Sequence, residues 1–215
     1  MTLTLHFHPL SSFCMKVLVA LYETGAPFER KIVNLANEAE RAAFAKLWPF
    51  AKFPVLQDHG RDLTIPESTI IIEYLALHHP GATQLVPADP DLARQTRLRD
   101  RVFDLHVNGP MQKIVTDKLR PAAHHDPFGV DHAKEQLQIA YAMLERELGD
   151  NTWAMGNVFT MADCAAAPAL FYANQILPFG ERRNLTRYLG RLVERPSFAR
   201  VLAEAQPYFA MFPGA

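Results

Sequence analysis

Two serines and a cysteine lie where an extended segment gives way to a predicted helix. They are Ser11, Ser12 and Cys14, in the run PLSSFCMKV. The start of a helix gathers backbone N–H groups without partners and a partial positive charge, so it stabilises an anion. A serine hydroxyl there can donate a hydrogen bond to a thiolate or to an oxyanion. The alternative is structural, because Ser12 has the type and position of an N-cap, and the local pattern alone favours it.

The thiol of Cys14 has two interpretations. A thiol near a helix start can become acidic and therefore reactive. However, Cys14 shares one helical face with three apolar residues, Val17, Leu18 and Leu21, at the spacing of a core-facing stripe. We therefore predict that Cys14 is buried and inert, with a reactive Cys14 as the alternative. Cys164 lies among alanines and is also predicted to be a core residue.

A proline enters the third predicted strand, in the run Lys52-Phe53-Pro54-Val55. Proline in a strand is confined to an edge or to a special geometry, such as a cis peptide bond. That geometry would leave the amide and carbonyl of Val55 free to pair with an extended, peptide-like ligand. The alternative is that Pro54 only begins a strand, and the local pattern does not separate the two.

A third candidate site follows in the run Pro66-Glu67-Ser68, at another predicted helix start. The N–H groups of this helix could hold a ligand carboxylate while the carboxylate of Glu67 holds an ammonium group. The alternative is an acidic first turn that complements the helix dipole. Taken alone, this site favours the alternative. However, three such sites occur at the ends of three consecutive elements of one small domain, and together they are harder to explain as helix and strand starts alone.

The elements that position these sites occupy the first eighty residues. Alternation of apolar and polar residues, with breakers between the runs, predicts strands at 2–7, 28–33, 54–57 and 63–65. Helical spacing predicts helices from 12 to about 24, at 38–47 and at 67–79. The order β-α-β-α-β-β-α predicts a mixed sheet covered by helices.

The rest of the chain has only helical patterns. Residues 81–90 are rich in breakers and predict a linker between a 1–80 α/β domain and a 91–215 all-α domain. Helices are predicted at 92–119, 131–148, 161–177, 183–195 and 197–205, with a loop at 121–129. We expect the first of these helices to bend near Gly109 and Pro110, because proline removes an amide and crowds the preceding turn.

The composition excludes several classes of protein. The chain has 215 residues, of which 49% are hydrophobic and 21% charged, which is a globular balance. Lys and Arg number 22 and Asp and Glu 23, a net charge of −1, so nothing attracts nucleic acid or an anionic membrane. Two cysteines suit a reducing compartment, and the first residues lack the pattern of a signal peptide. We therefore expect a cytoplasmic protein.

Four short motifs, taken in order, resemble those of the cytosolic glutathione S-transferase family over essentially the whole chain. SSFCMKV, AKFPVL and PESTIIIEYL resemble the thioredoxin-like glutathione domain, and FTMAD at 159–163 resembles the buried capping box of the C-terminal helical domain. The resemblance implies a thioredoxin-like domain followed by a helical bundle. It also implies a homodimer that uses glutathione as co-substrate and conjugates its thiolate to a hydrophobic electrophile.

The resemblance also implies which residue activates the thiol. The serine-type classes (theta, zeta and phi) place the activating hydroxyl just before the first helix, where Ser11 matches and Ser12 is an adjacent competitor. Phe13 departs from the zeta-type order of serine and cysteine, so no class is assigned. A Cys14-dependent oxidoreductase that uses glutathione, and a non-catalytic ligand-binding protein of the same fold, are the alternative functions.

The glutathione-binding residues follow from the same resemblance. Lys52 resembles a basic residue near the glycyl carboxylate, and Val55 resembles the backbone clamp on the cysteinyl moiety. Phe53, between them, departs from the small aliphatic residue usual before the proline. Glu67 and Ser68 resemble the pair that grips the γ-glutamyl end.

The acceptor site and the second domain give three further expectations. In the family, the acceptor binds between the first domain and the long helices, and we predict His106 and Met111 as acceptor-site residues, near the loop at 121–129. Thr160 and Asp163 are predicted to form a structural capping box. No set of histidines has ligand spacing, so no metal is expected.

Overall fold

The computed structural model describes residues 2–213 and contains one four-stranded sheet. Its strands are β1 (Leu3–Phe7), β2 (Phe28–Ile32), β3 (Val55–Asp58) and β4 (Leu63–Pro66), in the spatial order β2-β1-β3-β4. β1 runs parallel to β2 and antiparallel to β3, and β3 runs antiparallel to β4. The predicted mixed sheet is therefore confirmed.

Helices cover both faces of this sheet. They are α1 (Ser12–Thr24), α2 (Glu38–Ala45) and α3 (Ser68–His78). Successive side chains of a strand point to opposite faces. Leu3, Leu5 and Phe7 of β1 join the core formed with α1 and α3. His6 points to the other face, where its ring lies 6.0 Å from that of Phe44 in α2.

The remainder of the described chain is helical, which confirms the predicted fold class. The helices are α4 (Pro90–Val102), α5 (Gly109–Lys118), α6 (Pro127–Leu148), α7 (Met161–Ile176), α8 (Arg183–Glu194) and α9 (Pro196–Ala205). α7 is buried over most of its length and packs against α1, so the two halves share one core. Within residues 2–213, none of the helices has the length and apolarity needed to cross a membrane.

The predicted long helix is continuous but distorted. A π-helical segment, Phe103–Asn108, joins α4 to α5 just before Gly109 and Pro110. Because Pro110 has no N–H to give to the preceding turn, the helix widens there. The distortion occupies the six residues before Gly109, where the sequence predicted a bend, and the bend itself stays a prediction.

Two helices begin earlier than predicted. α4 begins at Pro90 and α6 at Pro127, rather than at 92 and 131. In both, an aspartate caps the helix and a proline occupies the first turn: Asp89 accepts from Leu92 N–H, and Asp126 accepts from Gly129 N–H. Proline suits this position because its N–H would have no partner there. The predictions that Pro90 belongs to the linker and Pro127 to a loop were wrong.

Candidate functional site

The chain turns sharply between β1 and α1. The N–H of Ser11 donates to the carbonyl of His8 at 3.0 Å, which closes the turn. Ser11 is the N-cap of α1, and its Oγ accepts from the N–H of Cys14 at 3.3 Å. The prediction that Ser12 caps the helix was therefore wrong by one residue. The cap uses a lone pair of Ser11 Oγ, so the hydroxyl hydrogen can still donate.

Burial separates Ser11 from its neighbours. Ser12 is 5% exposed, and its Oγ is enclosed without a hydrogen-bond partner among the described residues. Cys14 is fully buried, as predicted, and burial raises the pKa of its thiol to about 12, although hydrogen bonds with Ser11 and the His8 backbone oppose this. Ser11 is only partly buried. Of these three side chains, Ser11 is the one open to a ligand.

The turn before β3 has the special geometry that the sequence suggested. The peptide bond between Phe53 and Pro54 is cis. Val55 follows as the first residue of β3 and pairs with His6 on one side and Pro66 on the other. Pro66 has no N–H to donate to Val55. Lys52 is exposed, and its ammonium has no ion-pair partner among the described residues.

The start of α3 has an unusual backbone. Glu67 lies directly before the helix at φ 69° and ψ 119°, and no side chain caps the helix. A non-glycine residue in such a region costs about 1–3 kcal/mol, and such strain is concentrated at functional sites. Ser68, the first helical residue, is 5% exposed. The first N–H groups of α3 are therefore without a side-chain partner, as an anion site requires.

The sheet register brings the start of α1, the cis-proline turn and the start of α3 to the same end of the sheet. β1 ends near His6, which is paired with Val55, and Val55 is paired with Pro66, the last residue of β4. Ser11 follows β1, and Glu67 follows β4. Ser11, Val55, Glu67 and Ser68 therefore lie at or next to the same end of the sheet, with Lys52 and Phe53 in the adjoining turn.

A cavity of about 530 Å³ adjoins the start of α3. Phe13, Glu67 and Ser68 contribute to its wall, and so does Arg101 of α4. The sequence analysis did not identify Arg101. Its guanidinium donates to Asp100 at 2.8 Å and also contacts Asp104 and Thr69.

A buried lysine holds these carboxylates in place. Lys16 of α1 is 1% exposed and donates to Asp104 at 2.7 Å and to Thr69 at 2.8 Å, and its Nζ lies 2.6 Å from Asp100. Burial raises the pKa of Asp104, although Lys16 opposes this. One signal was available in the sequence: Asp100 and Asp104 are four residues apart, which places two carboxylates on one helical face.

Two family models match the chain. Residues 5–83 match the model described as glutathione S-transferase, N-terminal domain, and residues 127–202 match the one described as glutathione S-transferase, C-terminal domain. The chain belongs to the glutathione S-transferase family. The cis-proline turn and the uncapped start of α3 both lie within the first match.

Members of this family from plants and bacteria are similar over nearly the whole chain. Glutathione S-transferase F13 of Arabidopsis thaliana is 29% identical over 210 residues, which cover 94% of this chain and 95% of that protein. GstB of Escherichia coli is 25% identical, with 87% and 91% covered. The crystal structure of a glutathione S-transferase from Methylobacterium radiotolerans, in complex with glutathione sulfonate, is 28% identical with a TM-score of 0.81 and covers 94% of each chain.

The residues predicted to bind the acceptor of this transferase do not lie together. Met111 is 3% exposed and belongs to the hydrophobic core, whereas His106 lies exposed on the π-helical segment. A cleft of about 450 Å³ lies elsewhere, between β2 and the C-terminal segment, with Pro9 and Tyr208 at its wall. Among residues 2–213, no group of three His, Cys, Asp or Glu side chains could hold a metal ion.

The capping box of the transferase C-terminal domain is present as predicted. Asp163 accepts from the N–H of Thr160 at 2.8 Å and from its hydroxyl at 3.2 Å. Asp163 also accepts from Ala154 N–H at 2.8 Å and from the Tyr188 hydroxyl at 2.6 Å. The carboxylate is fully buried, its hydrogen bonds go to neighbouring protein groups, and it serves the scaffold.

Proposed function

We propose that the protein is a glutathione transferase that binds glutathione at the shared edge of β1, β3 and α3. It conjugates the glutathione thiolate to an electrophilic small molecule. The observation that best supports this is the convergence of Ser11, Val55 and the uncapped start of α3 at one edge. The names of the relatives support the same activity.

Ser11 activates the thiol in this proposal. A free cysteine thiol has a pKa of about 8.5 and is mostly protonated at neutral pH. A charge-assisted hydrogen bond from Ser11 Oγ contributes roughly 1.5–3 kcal/mol, which lowers that pKa by about one to two units. The partial positive charge at the start of α1 acts in the same direction. The thiolate then becomes the dominant species. Ser12 is excluded from this role because its Oγ is enclosed.

The cysteinyl and glycyl parts of glutathione bind along the cis-proline turn. The backbone of Val55 pairs with the cysteinyl moiety of glutathione. It can do so because Pro66, its partner in β4, has no N–H and leaves Val55 without that hydrogen bond of the strand pair. Phe53 forms the wall of the turn beside it. The unpaired ammonium of Lys52 approaches the glycyl carboxylate, a contact that is solvent-exposed and hence modest in strength.

The γ-glutamyl end binds at the start of α3. Its carboxylate accepts from the first N–H groups of the helix and from the hydroxyl of Ser68, and its ammonium pairs with Glu67. Arg101 lies on the same cavity. Its Nη1 has no protein partner among the described residues, so this nitrogen is free to donate to the γ-glutamyl carboxylate as well.

The quaternary structure and location are also part of this proposal. We propose a homodimer in the cytoplasm, as the family resemblance and the two free cysteines suggest. Exposed apolar side chains on α3, α4 and the adjoining π-helical segment support a dimer interface there, because large exposed apolar patches mark contact surfaces. They are Ile70, Leu77, Leu98 and Leu105.

A Cys14-dependent oxidoreductase is the other enzymatic function of this fold that we considered. The burial of Cys14 and its raised pKa count against it. The decisive experiment measures conjugation of an aryl halide and glutathione-dependent disulfide reduction side by side. We expect wild type and Cys14→Ala to conjugate equally well and Ser11→Ala to lose at least tenfold in kcat/KM. If wild type reduces the disulfide but does not conjugate the aryl halide, and Cys14→Ala loses the reduction, the protein is the oxidoreductase instead.

A further inference from the structure

His8 begins the turn that ends at Ser11. The hydrogen bond from Ser11 N–H to the His8 carbonyl closes a four-residue turn. In such a turn, the Cα atoms of the first and last residues lie within about 7 Å of each other. His8 therefore flanks the hydroxyl that holds the thiolate in the proposed function.

Two aromatic rings fix the orientation of this imidazole. The ring of Phe53 stacks on it, with centroids 5.9 Å apart and an interplanar angle of 19°. The ring of Tyr208 meets it edge to face at 6.1 Å and 71°. Phe53 belongs to the turn that presents Val55, and Tyr208 belongs to the C-terminal segment. His8 is thus clamped between the glutathione-binding turn and the end of the helical domain.

One nitrogen of the ring is occupied and the other is available. Nδ1 accepts from the N–H of Leu10 at 3.3 Å. In the neutral ring, the hydrogen must then be on Nε2. Burial lowers the pKa of His8, so the ring is neutral at pH 7. Nε2 has no hydrogen-bond partner among residues 2–213, and the side chain is only partly buried. Its N–H is a donor that none of the described residues uses.

A cleft begins beside this imidazole, because Tyr208 both contacts the ring and lines the cleft. Part of its wall is apolar, formed by Phe7, Pro9, Ile32, Val201 and Tyr208. Arg30 and Glu204, an ion pair at 2.8 Å, form the charged part. An acceptor with an apolar body can lie in this cleft while a polar atom approaches Nε2.

We propose that the Nε2–H of His8 donates to an acceptor oxygen that gains negative charge as the carbon–sulfur bond forms, so that the enzyme favours α,β-unsaturated carbonyl compounds. This inference rests on the proposed function. An alkyl or benzyl halide, displaced in one step, develops its charge on the departing halide and has no oxygen that gains charge. A fixed donor aimed at developing charge stabilises the transition state more than the ground state.

The reaction balances with the groups present. The glutathione thiol first loses its proton to solvent. The thiolate pair then forms a bond to the β-carbon, the carbon–carbon π pair moves between the α-carbon and the carbonyl carbon, and the carbonyl π pair moves onto oxygen. His8 holds this enolate oxygen through Nε2–H without giving up its proton. Finally the α-carbon takes a proton from solvent and the carbonyl re-forms, so one thiol has added across one double bond.

The test compares two acceptors in one set of variants. Benzylideneacetone is an enone, and benzyl bromide loses a halide. For each variant, we take the ratio of kcat/KM for the enone to kcat/KM for the halide. His8→Phe and His8→Ala remove the donor, whereas His8→Gln keeps an N–H. His132→Phe is the matched control, because His132 lies exposed on α6.

We expect the ratio to fall at least about tenfold in His8→Phe and His8→Ala. It should fall much less in His8→Gln and stay unchanged in His132→Phe. A ratio that stays constant in both non-donor variants, because both rates are kept or both fall together, would overturn the inference. So would a wild type that conjugates benzyl bromide but not benzylideneacetone. A wild type that neither binds glutathione nor conjugates either acceptor would instead overturn the proposed function.

Discussion

At the scale of single residues, one position in the chain separates a functional hydroxyl from a buried one. Ser11 precedes the helix, so its side chain points outward and caps α1, whereas Ser12 lies inside the first turn and faces the core. Consecutive helical residues differ by about 100° in direction. The sequence pattern contains both serines but cannot state where the helix begins to within one residue. In the proposed function, that boundary decides which hydroxyl meets the glutathione thiol.

Replacing Glu67 by Ala should weaken glutathione binding by about 1.5–3 kcal/mol at most, the scale of one hydrogen bond to a charged group. The γ-glutamyl end is remote from the sulfur, so its contacts hardly change in the transition state and the effect falls mainly on KM. Isothermal titration and steady-state kinetics measure both quantities. Glu38→Ala, in the first turn of α2, is the matched control and should bind as wild type does. If Glu67→Ala and Ser68→Ala both bind glutathione as tightly as wild type does, residues 66–68 are only an ordinary helix start.

At the scale of elements, the order of the strands and helices follows from the sequence, but their exact ends do not, and a π-helical segment divides the helix predicted at 92–119. Hydrophobic periodicity is a strong signal over ten residues or more, which is why α1 and α7 were placed to within one residue. Asp89-Pro90 and Asp126-Pro127 were missed because proline both ends and begins helices. The contact of Arg101 with Thr69 joins residues 32 apart in sequence. No local pattern predicts such a pair.

The aspartate of the α7 capping box should be essential for stability. Asp163→Ala leaves the N–H groups of Ala154 and Thr160 and the hydroxyl of Tyr188 without their acceptor in the core. Each unsatisfied buried group costs about 1–3 kcal/mol, so we expect a loss of at least about 3 kcal/mol in the free energy of unfolding. Urea denaturation measures it. The exposed Asp150 provides the control, and Asp150→Ala should change stability little. Unchanged stability with abolished activity would move Asp163 into the active site.

At the scale of the whole molecule, the helical half holds the site in place. Glu23 at the end of α1 accepts from Arg195 at 2.7 and 2.6 Å, from Ser197 at 2.5 Å and from Thr83 at 2.7 Å. Lys16, on the same helix, binds Asp100 and Asp104 of the second half. α1 is therefore anchored to the rest of the chain by charged groups at two places. Because Ser11 caps this helix, the anchored α1 also holds the turn before it in place.

Disrupting the apolar face of α3 should separate the proposed dimer and weaken glutathione binding. Ile70 is exposed and lines the same cavity as Glu67 and Ser68, so a contact there reaches the site. We expect wild type to sediment as a dimer and the double variant Ile70→Glu, Leu77→Glu to sediment as a monomer with a raised Kd for glutathione. Ile139→Glu introduces the same charge at an exposed isoleucine of α6 and should stay dimeric. A monomeric wild type would show that this face serves another contact.

The pKa of the glutathione thiol in the bound complex tests the central claim most directly. It can be followed through the ultraviolet absorbance of the thiolate as pH is raised, in wild type, Ser11→Ala and Ser12→Ala. We expect a pKa below 7 in wild type and in Ser12→Ala. In Ser11→Ala, the pKa should rise by about one to two units toward 8.5, with the Kd for glutathione little changed. A pKa that rises in Ser12→Ala and stays at the wild-type value in Ser11→Ala would contradict the assignment of Ser11.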